Sequence, residues 1–164
     1  MLLSQHAIVG GAVGLATGNP FLGFLAGFMS HHILDALPHV DGWPQNNYQK
    51  RYTSVSVSEW PRSTYITAYV DVAVTAAIIF FVALRVNEPL VFLCGALGGS
   101  LPDLMDNVPF WKNQFRTTRF GNWYHGVHTN YHYRWHNAHI FQLILAICLQ
   151  LFITLGGIWV SLQG

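Results

Sequence analysis

Histidine is the residue type in this sequence that most clearly invites a chemical explanation. There are nine histidines, against eight lysines and arginines together and seven acids. His31 and Asp35 are four residues apart, so a helix would place them on one face. His39 continues the spacing, although Pro38 is expected to end the helix first. Imidazole and carboxylate groups are the ligands that zinc and similar divalent metals take in proteins, so this segment predicts a metal site.

Glycines at the same spacing of four accompany these residues. The three runs are Gly23, Gly27, His31 and Asp35; Gly95, Gly99 and Asp103; and, in reverse order, His6, Gly10, Gly14 and Gly18. Small residues every four positions allow membrane helices to approach closely. We therefore expect three helices to pack along their glycine faces and to bring the four His and Asp residues together at one end. Asp71, about two turns into the next apolar helix, is expected to reach the same level.

Two further observations bear on whether these residues bind a metal. Asp35 and Asp103 are expected at helix C-termini, where the helix dipole disfavours negative charge, and a bound cation would remove that penalty. The other interpretation is that the glycines only pack helices and that the His and Asp side chains form a paired polar core without metal.

A second group of histidines lies late in the chain. It comprises His125, His128, His132, His136 and His139, at spacings that put all five on one stripe if the segment is helical. Of these we expect His128 and His132 to be ligands. Neutral imidazoles suit zinc, iron, manganese or nickel. The interleaved tyrosines and Trp135 also fit an interfacial helix with no ligand role.

The composition indicates a membrane protein: 52% of residues are hydrophobic and only 9% charged, whereas soluble domains carry about 25% charged residues. Residues 63–86 and 140–162 are each long enough to cross a bilayer. Residues 89–101 form a shorter apolar stretch, and residues 3–17 and 21–37 read as a hairpin that turns at Gly18-Asn19-Pro20. We expect one all-α domain over residues 1–164, an integral-membrane bundle of about five helices.

The polar sequence lies in two connections, residues 40–62 and 103–137, which this topology puts on one side of the membrane. That side carries seven of the eight basic residues: Lys50, Arg51, Arg62, Lys112, Arg116, Arg119 and Arg134. By the positive-inside rule it is cytoplasmic, which predicts a prokaryotic-type cell membrane with all nine histidines at the cytoplasmic face. The net charge of +1 argues against a nucleic acid as partner.

The segment 19–41, NPFLGFLAGFMSHHILDALPHVD, resembles the signature of predicted membrane-bound metal-dependent hydrolases. That family is similar in motif to zinc-dependent phospholipase C and its related nucleases. The resemblance extends to His6–Gly10, to Gly98–Asp103 and to the late histidines, and so spans most of the chain. It implies that His6, His31, Asp35, His39 and Asp103 are metal ligands, followed by Asp71 and the late histidines. The interval from Asp35 to His39 is shorter than in the phospholipase pattern, and no acid follows Asp106.

These observations predict a hydrolase with one to three divalent ions, zinc first, acting on a phosphoester such as a membrane phospholipid. Asp35 would bridge two ions, and Asp106 or Asp41 would serve as general base. Arg116, Arg119 or Arg134 would hold the phosphate. The alternative is a non-catalytic subunit of a larger membrane complex, with histidines as structural or cofactor ligands. Membrane-protein partners or a homo-oligomer fit either hypothesis.

Overall fold

In a computed structural model of the chain, residues 1–40, 62–108, 110–133 and 140–163 are described. Within these ranges all regular structure is helical, which confirms the predicted all-α class. The helices are α1 (Leu3–Leu15), α2 (Pro20–Asp35), α3 (Arg62–Ala83), α4 (Pro89–Asp106), α5 (Lys112–Thr117), α6 (Arg119–Tyr131) and α7 (Ile140–Ser161).

Helices α1 and α2 form the hairpin that the turn signal predicts. Gly18 has a φ of +62°, a left-handed conformation that glycine adopts without steric cost. The side chain of Asn19 then accepts hydrogen bonds from the backbone nitrogens of Phe21 and Leu22, at 2.9 and 3.1 Å. Pro20 occupies the first helical position, where its missing N–H costs nothing. The local sequence therefore fixes where α2 begins.

The glycine faces of α1, α2 and α4 pack backbone to backbone. A Cβ atom on Gly14 would lie 2.9 Å from the Cα of Gly95, and one on Gly27 would collide with the Gly95 carbonyl. An apolar cluster closes one side of this three-helix contact, with Ile8 from α1, Val82 from α3 and Phe92 from α4. The helices are thus held at a separation that only glycine permits.

Among the described residues, two helices are long and apolar enough to cross a membrane, α7 over its whole length and α3 from Ile66 to Ala83. Little of either helix is buried inside the protein. Of the five helices expected to cross the membrane, length and composition therefore support a membrane-spanning role for these two.

The second polar connection is largely helical. Helix α4 continues through Pro102 to Asp106, and α5 and α6 follow. Helix α6 ends at Tyr131, and His132 has an extended backbone with ψ of 128°. The late histidines therefore do not share one helix, because only His125 and His128 lie on α6. His136 and His139, with Asp41, Lys50, Arg51, Arg134 and Trp135, lie outside the described residues, as does the side chain of Arg62.

We expect Gly27→Ala to destabilise the fold, because its methyl group would displace the backbone of α4. Overpacking of this kind costs about 1–3 kcal/mol of unfolding free energy, measurable by denaturant titration in micelles with circular dichroism. Gly156→Ala in α7 is the matched control, since its Cβ would meet no atom within 4 Å. Equal stability of Gly27→Ala and the wild type would contradict close packing at this glycine.

Candidate metal centre

Histidines and acids from four helices converge at one end of the bundle. Helix α1 contributes His6, α2 contributes His31 and Asp35, α4 contributes Asp103 and Asp106, and α6 contributes His128. His39 and His132 join them from just beyond the ends of α2 and α6. On α1, α2 and α4 the glycines and the polar residues recur every four positions and so lie on one face of each helix. Packing along the glycines therefore brings these polar side chains to the same level.

Three groups of these residues have the spacing of a metal site. They are His6, His31 and Asp103; His31, Asp35 and His128; and Asp35, His39 and His132. In each group the ligand atoms lie within 4.8 Å of one another. The first and third groups have no residue in common, and Asp35 belongs to the second and third. The three groups therefore overlap at His31 and Asp35, and each has the spacing to hold a metal ion.

Asp35 is the centre of the arrangement. Its side chain is 1% exposed. One carboxylate oxygen, Oδ2, lies 3.0 Å from Nε2 of His31, 3.2 Å from Nε2 of His128 and 4.0 Å from Nε2 of His132. The other oxygen, Oδ1, lies 2.9 Å from the amino nitrogen of Met1. A buried carboxylate needs such positive or hydrogen-bonding partners, since burial alone disfavours its charge.

Hydrogen bonds on the far side of each imidazole fix which nitrogen faces Asp35. Nδ1 of His31 lies 2.8 Å from the carbonyl oxygen of Gly99, and Nδ1 of His128 lies 3.1 Å from Oδ2 of Asp106. A carbonyl or carboxylate oxygen can only accept, so both Nδ1 atoms carry the hydrogen. In the neutral rings the Nε2 lone pairs then point toward Asp35. Metal-binding histidines are oriented by contacts of this type.

The three atoms facing one another are electron-rich, and this is the arrangement that a cation stabilises. The two Nε2 atoms of His31 and His128 are 3.2 Å apart, in addition to their contacts with Asp35. Two ligands each about 2.1 Å from a tetrahedral zinc ion lie about 3.4 Å apart, so the observed spacing of 3.0 to 3.2 Å fits three corners of such a site. The donor set, two imidazoles and a carboxylate, also fits zinc.

A proton can take the place of the cation. Burial alone would lower the pKa of His128, but its contacts with the carboxylates of Asp106 and Asp35 raise it to about 9. Without metal, His128 is therefore protonated at neutral pH and donates to Asp35. Metal binding must displace that proton.

His6 gives independent evidence on whether the cluster binds an ion. It is fully buried, and neither ring nitrogen makes a hydrogen bond to the described residues. Its Nε2 lies 3.1 Å from Oδ1 of Asp35, and its Nδ1 has no hydrogen-bond partner among the described residues. The ring stacks on that of His31 with centroids 3.8 Å apart. Because a buried polar atom without a partner is costly, His6 favours an ion over a self-sufficient polar core.

Asp106, predicted as a general base, is buried and accepts hydrogen bonds from neighbouring side chains of the cluster. Its carboxylate is 1% exposed and accepts hydrogen bonds from Nε of Arg116 at 2.8 Å, Nδ1 of His125 at 2.8 Å and Nδ1 of His128. Arg116, expected to hold phosphate, also donates to the Asp106 carbonyl at 2.7 Å. Asp106 therefore orients His128. The sequence offered no signal for the Arg116 contact, which joins α4 to a short helix.

Asp71, predicted to be a ligand, lies at the N-terminus of α1 and in none of the three groups. It accepts hydrogen bonds from the backbone nitrogens of Leu3 and Ser4, at 2.7 and 3.2 Å, and from the Ser4 hydroxyl at 2.7 Å. These nitrogens belong to the first turn of α1, where the backbone N–H groups have no hydrogen-bond acceptor within the helix itself. Asp71 thus caps α1 from a neighbouring helix.

No family model, curated protein or solved structure matches this chain. The resemblance to membrane-bound metal-dependent hydrolases therefore rests on the motifs themselves, and the geometry described above is the independent support for the metal site.

We expect Asp71→Ala to lower the unfolding free energy by about 1–2 kcal/mol, the usual cost of losing a helix cap. Zinc content should be unchanged by elemental analysis. Glu88→Ala is the matched control, because Glu88 precedes α4 without a side-chain capping bond. If Asp71→Ala lost zinc while keeping its stability, Asp71 would be a ligand after all.

Asp106→Asn should weaken zinc binding, because it removes the negative charge that orients His128. Loss of such a supporting carboxylate costs about 10–100-fold in metal affinity, which competition with a chromophoric chelator measures. An affinity equal to that of the wild type would show that His128 does not depend on Asp106.

Proposed function

We propose that this chain is a membrane-bound, metal-dependent hydrolase that acts on a phosphoester, with a phospholipid as the substrate class. The observation that carries the proposal is the buried Asp35 carboxylate facing Nε2 of His31 and Nε2 of His128, with two further ligand groups beside it. Buried His and Asp side chains among apolar helices are costly and are usually functional.

The chain's own residues have separable roles in this proposal. His31, Asp35 and His128 bind the first ion, and His6, His39, Asp103 and His132 complete its surroundings or hold a second ion. A divalent cation bound here supplies Lewis-acid chemistry that activates water and polarises a phosphoryl oxygen. Zinc is the ion that we expect from the donor set.

Asp103 is our candidate for the proton acceptor. Of the three carboxylates at the cluster it alone is reached by solvent, with its side chain 19% exposed, against 1% for Asp35 and Asp106. Its oxygens lie 3.9 Å from Nε2 of His6 and 3.8 Å from Nε2 of His128. Nδ2 of Asn107 donates to one of these oxygens at 2.7 Å, and the partial exposure would leave the carboxylate within reach of a water molecule at the cluster.

A membrane location for the whole bundle is supported by the outer faces of its helices. Opposite its glycine face, α2 exposes Phe21, Leu25, Met29 and Ile33, which are again four residues apart and 43–69% exposed. An apolar stripe of this length is unfavourable in water and suits contact with lipid. We propose that α1, α2 and α4 lie in the membrane with α3 and α7, with the metal centre at the cytoplasmic face.

Helix α6 supports a lipid as substrate. Tyr124 and His128 on this helix are buried, while Phe120, Trp123 and Tyr131 are 56–62% exposed. Aromatic residues of this kind are enriched where a protein meets the membrane interface. An interfacial α6 would hold His128, in its last turn, at the depth of lipid phosphate groups, and the exposed Arg119 at its N-terminal end would lie in the same interface.

The test is zinc content and hydrolysis measured on the same preparations. Detergent-purified wild type should contain stoichiometric zinc and release the head group from vesicles of phosphatidylcholine and phosphatidylglycerol. His31→Ala and Asp35→Ala should lose both the metal and the hydrolysis. His32→Ala is the matched control, because His32 belongs to none of the three ligand groups and should retain both.

Two results would contradict the proposal. Hydrolysis by metal-free wild type at the full rate would exclude a metal-dependent reaction. Zinc-loaded protein that hydrolyses neither the vesicles nor a soluble phosphodiester, and that copurifies with a fixed set of membrane proteins, would favour the accessory-subunit hypothesis instead.

A further inference from the structure

Gln150 is an unusual residue for its position. It lies in the middle of α7, a largely apolar helix without charged residues that buries only Ala146, Gln150 and Ser161 among its described side chains. Gln150 is 5% exposed. Burying a polar side chain in a membrane helix costs free energy, so the hydrogen bonds that it makes indicate its role.

The amide of Gln150 binds the backbone that follows α2. Its Oε1 accepts from the Val40 nitrogen at 3.2 Å, and its Nε2 donates to the Val40 carbonyl at 3.1 Å. Val40 lies beyond the end of α2, where the backbone has no helical partners. In an apolar environment both of its polar groups must be paired, and Gln150 pairs both.

A second amide orients the first. Nε2 of Gln150 also donates to Oε1 of Gln5 at 2.9 Å, and Gln5 is itself 6% exposed. Oε1 of Gln5 lies 3.3 Å from the Leu2 nitrogen, at the start of α1. The contact fixes which end of the Gln150 amide is the donor, so the pair of bonds to Val40 has one orientation. We call these two side chains the amide clasp.

The clasp acts next to a candidate ligand. His39 immediately precedes Val40, is 2% exposed and belongs to the group with Asp35 and His132. Its Nδ1 donates to the Leu37 carbonyl at 2.7 Å, which sets the ring relative to its own backbone. The position of that backbone relative to Asp35 then depends on how Val40 is held.

We propose that Gln150 is a positioning residue of the metal centre, which holds the His39 backbone in place through Val40. The inference rests on the proposed metal-binding function and adds a link from a membrane-spanning helix to one ligand group. Because that link runs through two backbone hydrogen bonds, removing the amide should act on metal binding only while His39 is present.

The test compares Gln150→Leu with Gln142→Leu, the same change at an exposed position two turns earlier on α7. Zinc affinity of full-length protein in micelles is measured by competition with a chromophoric chelator. We expect Gln150→Leu to lower the affinity about tenfold, at the low end of the range for residues that orient ligands, and Gln142→Leu to leave it unchanged. In a His39→Ala background, Gln150→Leu should cause no additional loss.

Several results would overturn the inference. Wild-type affinity in Gln150→Leu would do so, and so would an equal fall with and without His39, which would mean a general structural effect. If Gln150→Leu does not yield folded protein, Gln150→Glu decides, because it keeps the acceptor for the Val40 nitrogen and should lose part of the affinity; an unchanged affinity would again refute the role. Wild type that binds no zinc would instead overturn the proposed function on which the inference rests.

Discussion

The Asp35 carboxylate is the group on which the rest of this structure depends. It lies buried at the C-terminal end of α2, where the helix dipole and the loss of solvent both oppose its negative charge. Imidazoles from α2 and α6 lie within 3.2 Å of one of its oxygens. The other oxygen lies 2.9 Å from the Met1 ammonium. The two facing imidazole nitrogens additionally need a cation or a proton between them and the carboxylate, so the site and the fold are coupled.

Close helix packing makes this coupling possible. The glycines of α1, α2 and α4 allow backbone contacts, which bring His6 and His31 into a ring stack. A side chain at any of these glycines would separate the helices and widen the cluster. Around this rigid centre, residues outside the ligand groups hold the ligands: Asp106 orients His128, and the amide clasp holds the backbone beside His39. Metal affinity should therefore respond to residues that never touch the ion.

Much of the centre follows from one sequence regularity. A period of four on three apolar helices is enough to predict that His6, His31, Asp35 and Asp103 meet, because helical geometry carries a repeat onto one face. The hairpin turn at Gly18 is predictable for a similarly local reason. Residue type and spacing place His128 in a stripe of five histidines without distinguishing it from the others, because its place opposite Asp35 depends on how α6 folds back.

Contacts between distant segments were not predictable from the sequence. Asp71 has the residue type of a ligand, yet it caps α1 across 67 to 68 positions, and no local pattern distinguishes a cap from a ligand. The enclosure of Asp106 by Arg116 and His125 depends on α5 and α6, which form within a segment whose polar composition favoured a loop. Gln150 is one of two glutamines in a largely apolar helix, and only its partners show that it reaches the site.

The central claim is that Asp35, His31 and His128 bind one divalent ion between them. Anomalous diffraction at the zinc absorption edge, on crystals of zinc-saturated wild type, tests this most directly. We expect an anomalous peak about 2.0–2.2 Å from Nε2 of His31, from Nε2 of His128 and from an Asp35 oxygen. The absence of a peak there, with the two Nε2 atoms still in contact, would mean that a proton fills this place and that the cluster is a polar core.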